Sequence, residues 1–419
     1  MTTSRYRSTG RATGSQVCGD TSSPAANSPA DYAWIVNFNN GNSDWNNRDN
    51  KNYVRAVRSV PASECQGVTF RALHSAWRRA RRNKIPSENQ LEFEAKLIDN
   101  LFDLCDQLAS GTWKPRPTSC FVAKRPKARE IHAPDFGDRV VHHWLVPQLE
   151  RLYDARFIDQ SFANRKGKGT HAAVAQLRSY VRQVDSGQGG GWFLQLDIRN
   201  FFNSIHRPTL YRMLKKTMLR SGLHIDAQRA AHALIATSPL CAGVRHRSST
   251  EERALVPLHK RLENAAKGCG LPIGNLSSQF LANVYLDALD QFVKRTLKAK
   301  RYVRYVDDFV IVHSDRAQLE AWQLQIVEFL RKELRLELKD DIRLRSLRDG
   351  IDFLGYVVYP THTRVRRRVV RHAFAALSAL SRPRSPEQFQ QRRSVLASYL
   401  GHFKHANASK LSALLESKQ

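Results

Sequence analysis

Acidic residues are scarce in this chain, cysteines scarcer, and long apolar runs absent. With 38 Asp+Glu against 67 Lys+Arg in 419 residues, the formal charge is +29. A surplus of that size repels itself in the compact state, and a long polyanion is its ordinary partner. The six cysteines, Cys18, Cys65, Cys105, Cys120, Cys241 and Cys269, lie far apart, with no C-x-x-C, no histidine spaced for zinc and no Cys/His cluster. This excludes a disulfide scaffold and points to reduced thiols in a cytoplasmic protein. No segment approaches the roughly 18–20 apolar residues of a membrane span. MTTSRYRSTGRATGSQ also lacks the apolar stretch of a signal peptide. At 42% hydrophobic, the chain can bury a sizeable core, shared among two or three domains.

The first sixty residues stand apart. Ser, Thr, Gly and Ala give way after about residue 30 to NFNNGNSDWNNRDNKNYVRAVRS, with eight asparagines between Asn37 and Asn52. So polar a stretch does not drive its own folding and reads as a disordered tail or a long loop. From Phe70 the pattern is helical, with Phe70, Leu73, Trp77, Leu91, Phe93, Leu97, Leu101 and Leu108 recurring at three and four before a stop at Gly111. FVAKRPKAREIHAP predicts two short strands around a basic turn holding Pro126, and DRVVHHWLVPQLERLYDARF a helix. GGGWFLQLDIRNFFNSI predicts a strand running into a helix. Residues 210–262 are expected to be mainly helical, with a loop at 242–252. GLPIGNLSSQ is a loop leading into a helix, and RYVRYVDDFVIVHS a hairpin interrupted by two aspartates. A helix over 316–335, one strand at IDFLGYVVY and a basic helical tail from about Val369 complete the pattern. The class is α+β: a modest antiparallel sheet backed by helices, with a helical carboxy-terminal unit.

Tyr305-Val306-Asp307-Asp308 carries the sharpest chemical signal. Two adjacent carboxylates between apolar strands cannot both face a core, because burying either ion unpaired costs several kcal/mol. A tight turn fits them, either solvated or holding a cation, and with all-oxygen ligands that cation would be Mg²⁺. Asp197 interrupts the apolar run FLQLDIRNFF and is either a second ligand or a helix N-cap. Two-metal phosphoryl transfer needs carboxylates from separate strand ends around ions roughly 3.5–4 Å apart. An Asp after one strand and a DD hairpin further on supply that set.

LDIRNFF, GLPIGNLSSQ, YVDD and FLGY stand in the order and spacing of the palm motifs of reverse transcriptases, and from about Phe70 onward the chain resembles that family. RPKAREIHAP, DRVVHHWL, SFANRKGKGTHAAV, DGIDFLGY and SYLGHFKHAN make it most similar to the reverse transcriptases of diversity-generating retroelements. Retroviral and group II intron enzymes usually have Gln-Gly where this chain has Ile273-Gly274, and Ser-Pro where it has Ser278-Gln279. The resemblance implies a right-hand polymerase. Its expected parts are an Asn-rich tail over 1–62, amino-terminal helices and fingers over 63–195, a palm over 196–360 with an insertion at 210–268, and a helical thumb over 361–419. It implies Asp197, Asp307 and Asp308 as ligands of two Mg²⁺ ions, joined by the backbone carbonyl of Ile198. Lys124, Lys127 and Arg129 would hold the incoming triphosphate, or else form a solvated basic turn. Phe202 would exclude a ribose 2′-OH, or else pack in the core. Ile273, Gly274 and Gln279 would lie beside the nascent pair and template, and Phe353, Leu354, Gly355 and Tyr356 would form the primer grip. Where the family commonly has a lysine as proton donor to pyrophosphate, the alignment gives Asp341, with Lys339 two residues earlier: either Lys339 substitutes as general acid or general-acid catalysis is weaker here.

An isoleucine at 273 in place of a hydrogen-bonding glutamine removes a directional contact, so error-prone copying is expected unless Ile273 is a packing residue. By resemblance the partners are a structured template RNA, its cDNA, dNTPs and a small basic accessory oligomer, with no membrane. The implied role is mutagenic retrohoming, in which template adenines are miscopied into cDNA that replaces a variable segment of a target gene. YAWIVNFNNGNSDWNNRDNKNYVRAVRS is similar to the end of a C-type-lectin-like variable domain, with a plain disordered linker as the alternative. The basic runs Arg78 to Lys84, Arg165 to Gly169 and Arg364 to Arg371 add phosphate affinity without sequence preference. Competing functions are a reverse transcriptase of antiphage (antiviral) defence and a non-catalytic RNA-binding scaffold. Three retained, mutually repelling acids argue against the scaffold.

Overall fold

Side-chain caps and apolar periodicity set the first helices. Thr69 accepts from the Ala72 N–H at 3.2 Å and caps Phe70–Arg81, Ser87 caps Glu88–Ala95, and Gly111 in the left-handed region closes Leu97–Ser110. Leu73, Ala76, Trp77 and Ala80 are buried on the first helix, and Leu97, Leu101, Leu104 and Leu108 on the third, while Arg78, Arg79 and Arg81 stay exposed. This is a computed structural model that describes residues 32–36, 43–47, 67–124, 127–186, 190–380 and 385–417. Most of the Asn-rich segment, Cys18, Cys65 and Pro126 of the basic turn lie outside the described residues.

The chain forms two compact units. One takes residues up to Trp113 with Asp135–Trp144 and His224–Ala230; the other takes Lys114–Pro134, Leu145–Leu223 and Ala231–Gln419. In the first, β1 (Tyr32–Val36) pairs antiparallel with β2 (Ser43–Asn47), so the polar leading segment contains a hairpin. In the second, β3 (Thr118–Ala123) and β4 (Arg129–Ala133) form the basic hairpin expected from the sequence. Beyond it come β5 (Trp192–Asp197), β6 (Val244–His246), β7 (Tyr302–Tyr305), β8 (Asp308–His313) and β9 (Arg343–Ser346). The stretch expected as a loop at 242–252 therefore holds a strand. Strand β6 runs parallel to β3, where the Thr118 N–H donates to the Gly243 carbonyl and the Arg247 N–H to the Cys120 carbonyl.

The central sheet is antiparallel in the order β7-β8-β5-β9. Phe193, Val303, Val310 and Val312 join one core with Ala173, Val174, Leu177 and Val181 of helix Thr170–Asp185. Their strand neighbours Leu194, Leu196, Tyr302, Phe309 and Ile311 are also buried, as alternation requires when both faces are covered. Helix Arg316–Leu334 packs on β5, β8 and β9. The expected single strand IDFLGYVVY is a hairpin, β10 (Ile351–Phe353) and β11 (Tyr356–Val358), continued by β12 (Thr363–Val365). Leu354 at φ 50° and Gly355 at φ 90° reverse the chain, a turn with both central residues left-handed. Three further helices, Arg367–Ala379, Pro386–Phe403 and Ser409–Glu416, close around Ala373, Leu377, Leu396, Phe403 and Leu415. Mixed helices and antiparallel sheets bear out the α+β class. Among the described residues no helix is long and apolar enough to cross a membrane.

His142, on helix Phe136–Tyr153, is buried and pushed down from 6.5 to about 3, by burial first and then by the charges of His143 and Arg139. The folded chain keeps it neutral while an unfolded chain takes up the proton. Stability is therefore expected to be insensitive to this group above pH 7. It should fall below about 6.5, by about 1.4 kcal/mol per pH unit. Urea midpoints at pH 7 and pH 5 measure the loss, and His142→Leu should flatten the slope.

Candidate active site

Strand pairing brings the acids together. The β5–β8 register sets Asp197 opposite Asp308, and the Ile198 N–H donates to the Asp307 carbonyl at 3.2 Å across the β7–β8 turn. Burial first, and then the charge of Asp197, push Asp307 up to about 6, while Lys339 and Arg129 pull the other way. Burial also pushes Asp308 up to about 7, against a hydrogen bond from Gln195 at 3.1 Å and with the charges of Asp197 and Asp307. Asp197 does not cap a helix: Asn200 occupies the N-cap position of the short helix Phe201–Ser204. Its Oδ2 accepts from the Lys339 ammonium, and its Oδ1 is buried without a hydrogen-bond partner among the described residues.

Lys339 arrives on an extended segment that runs antiparallel to the end of β5. Leu338 bridges Ile198, the Lys339 N–H donates to the Asp197 carbonyl at 2.8 Å, and the Arg199 N–H to the Glu337 carbonyl at 2.7 Å. Asp341 is exposed and ion-paired with Arg343 at 2.5 Å. Of the two positions weighed for the missing family lysine, 339 is thus the one in contact with the acids.

The turn between β7 and β8 is conformationally costly, since Val306 is β-branched and sits at φ 55°. A buried network holds it. Arg304, wholly buried, donates to Asp290 Oδ1 at 2.7 Å and Oδ2 at 2.6 Å, to Ser161 Oγ at 2.9 Å, to Asn283 Oδ1 at 3.2 Å and to the Val306 carbonyl at 3.0 Å. Tyr302 donates to the same Asp290 at 2.8 Å. Burial works against the guanidinium charge, but Asp290 outweighs it and holds Arg304 above its ordinary range. Gln195 steadies the next position, donating to Asp308 Oδ1 and to the Asp352 carbonyl at 3.0 Å. Sequence reasoning missed Gln195, Asp290 and Arg304. The signal was a charge inside the apolar strand YVRY, sharing the inward face with Tyr302.

Other expected site residues fall at several depths. Lys124 is ion-paired with Glu252 at 2.8 Å, Lys127 and Arg129 are exposed, and the charge of Arg129 reaches Asp307. Phe202 is half-buried beside Phe201, and its carbonyl accepts from the Leu271 N–H at 2.9 Å. Ile273 is half-buried and its carbonyl accepts from the His132 N–H at 2.8 Å; Gly274 at φ 118° and Gln279 are exposed. A Cβ on Gly274 would stand 2.8 Å from Ile131, so only glycine fits there. In the β10–β11 hairpin Phe353 and Tyr356 are wholly buried and Leu354 and Gly355 are half-buried, while Tyr356 donates to the His402 carbonyl at 2.8 Å.

Residues 122–358, which contain every acid of this cluster, match the family model for reverse transcriptase (RNA-dependent DNA polymerase). The chain belongs to the reverse transcriptase family. That membership makes it an RNA-directed DNA polymerase, a nucleotidyltransferase of right-hand fold. It is 24% identical over 304 residues to protein YkfC of Escherichia coli strain K12, an alignment covering 64% of this chain and 73% of that protein. It is also 24% identical over 308 residues to group II intron-encoded protein LtrA of Lactococcus lactis subsp. cremoris, covering 63% of this chain and 49% of LtrA. The chain thus spans about half the length of LtrA. Telomerase from Candida albicans, solved in complex with a fragment of telomeric RNA, aligns at a TM-score of 0.40 and 12% identity over 77% of this chain and 68% of that one. Reverse transcriptases are metal-dependent. The donors fit such a use: three carboxylates at one place, one with a buried oxygen unpartnered among the described residues, form an all-oxygen set suited to a hard divalent ion.

Removing Arg304 should leave Asp290 as an uncompensated buried charge. Arg304→Met is expected to cost about 3–5 kcal/mol in urea unfolding. The double variant Arg304→Met with Asp290→Leu should recover most of that stability but not DNA synthesis, because the Val306 carbonyl remains unheld.

Proposed function

We propose that this reverse transcriptase makes error-prone cDNA for a diversity-generating retroelement, by two-Mg²⁺ nucleotidyl transfer at Asp197, Asp307 and Asp308. The observation that carries the catalytic reading is the pairing of Asp197 with Asp308 at adjacent strand ends, with Asp307 in the β7–β8 turn beside them. The two ions would be held by these carboxylates and the Ile198 carbonyl. When bound, they supply activation of the primer hydroxyl and charge stabilisation at the departing pyrophosphate.

The chain's own groups divide the remaining work. Lys127 and Arg129 on the β3–β4 hairpin present exposed cations to the triphosphate, and Lys124 joins them on release from Glu252. Lys339 offers an ammonium proton beside the acid cluster for the pyrophosphate leaving group. Phe202 stands as the gate against a 2′-OH, and the Leu354-Gly355 turn as the part of the primer grip that touches nucleic acid. Support for the retroelement role comes from Ile273-Gly274 and Ser278-Gln279, where group II intron enzymes usually differ. Ile273 offers the incoming base pair a hydrocarbon side chain in place of an amide, so discrimination rests on pairing geometry. The partners in this reading are the element's template RNA, its cDNA and a small basic accessory oligomer.

Two measurements test it. Asp307→Asn is expected to cut Mg²⁺-dependent dNTP incorporation on the RNA encoded beside the gene by more than about 10²-fold, with RNA affinity retained. Sequenced wild-type product should be rich in errors opposite template adenines, and Ile273→Gln should reduce them. An unchanged error spectrum in that variant sinks the fidelity argument.

A further inference from the structure

Away from the acid cluster, the β3–β4 hairpin gathers a second set of metal-type donors. Cys120 and His132 are paired directly across the two strands, and Glu130 precedes His132 by two, so all three side chains project from one face. They are 1%, 3% and 5% exposed respectively. His132 Nε2 lies 3.8 Å from Cys120 Sγ and 3.6 Å from Glu130 Oε2, and the donor atoms of all three lie within 4.8 Å of one another. Zinc binds sulfur at about 2.3 Å and nitrogen or oxygen at about 2.0–2.2 Å, which puts neighbouring tetrahedral ligands about 3.3–3.8 Å apart. Both edges through the imidazole fit that spacing.

We propose that Cys120, Glu130 and His132 form a zinc site, with water in the fourth position. Thiolate, imidazole and a single carboxylate are a borderline-soft set that selects zinc over the magnesium suited to the all-carboxylate cluster. Charge also balances. One thiolate and one carboxylate neutralise a divalent ion, which a buried location demands. Arg253, whose charge also reaches Glu130, is itself paired with Glu263 at 3.2 Å.

Each ligand residue anchors a different neighbour. The Cys120 carbonyl accepts from the Arg247 N–H at 2.8 Å, Glu130 Oε2 from the Leu262 N–H at 3.1 Å, and the His132 N–H donates to the Ile273 carbonyl at 2.8 Å. An ion joining the three side chains would clamp the hairpin, the strand beside it and the loop carrying Ile273 into one rigid piece. The sequence showed no zinc spacing because the motif is C-x9-E-x-H, assembled by strand register and not by a local loop. That corrects the expectation of no Cys/His cluster.

Metal analysis of the full untagged chain, purified without chelator, tests the site. About one zinc per chain is expected in the wild type and in Asp307→Asn, and its loss in Cys120→Ser. Cobalt substituted for zinc should give a thiolate-to-cobalt charge-transfer band, kept in Cys269→Ser and absent in Cys120→Ser. Chelation should lower the wild-type thermal midpoint. A folded wild-type chain with neither zinc nor a cobalt band overturns the proposal, leaving a Glu130–His132 ion pair beside a thiol. A band that persists in Cys120→Ser overturns it equally. These readouts do not depend on DNA synthesis, so they stand or fall apart from the polymerase reading.

Discussion

Carboxylates on paired strand ends repel one another, and the polar groups around the β5–β8 pair act on that repulsion. The register that sets Asp197 opposite Asp308 cannot slip by one residue without exchanging the side chains packed on the two covered faces, Leu194, Leu196, Phe309 and Ile311 for Phe193, Val310 and Val312. Hydrophobic burial along the strands thus fixes the separation of charges that would otherwise move apart. Lys339 offsets part of the cost at Asp197 and Gln195 part at Asp308, while the buried Asp197 Oδ1 is left uncompensated by any described residue. Incomplete compensation is what a cation-binding centre requires, since full pairing within the protein would leave the ion nothing to gain.

Arg304 extends the same logic below the turn. A valine at φ 55° costs about 1–2 kcal/mol and persists only where its surroundings over-determine it. The Arg304 hydrogen bond to the Val306 carbonyl does that, and the bidentate pair with Asp290 fixes the guanidinium in turn. The pair is expensive to bury, and its return here is geometric.

The sequence made the acid cluster and the hairpin that carries it legible, because a DD pair between apolar strands fits a tight turn and little else, and alternation fixes which neighbours are buried. It also marked Lys339 as a candidate, although only the fold, through the Leu338–Ile198 bridge and the Lys339 contacts with Asp197, distinguishes it from Asp341. Long-range partners stayed hidden. Asp290 and Arg304 lie on different elements, and β6 joins β3 from more than a hundred residues away. The hairpin inside IDFLGYVVY was missed because two three-residue strands around Leu-Gly have the composition of one longer strand; only the left-handed turn separates them. Tyr356 shows the converse limit, since the motif that singles it out says nothing of its packing, and the residue is wholly buried.

Charge in this chain works at two levels of precision. The excess of +29 needs only the correct sign, because phosphate contacts tolerate displacement and are shared among many flexible side chains. The acids tolerate no such freedom. Asp197, Asp307 and Asp308 therefore sit at the ends of buried strands, whereas Lys127 and Arg129 sit exposed on a hairpin outside the central sheet. The described part of that hairpin is held in register with the Ile273 loop by the His132 N–H, which donates to the Ile273 carbonyl at 2.8 Å. The burial of Cys120, Glu130 and His132 on one face of its strands, each with a hydrogen bond to a separate segment, roots the hairpin in the same way that strand register roots the acids.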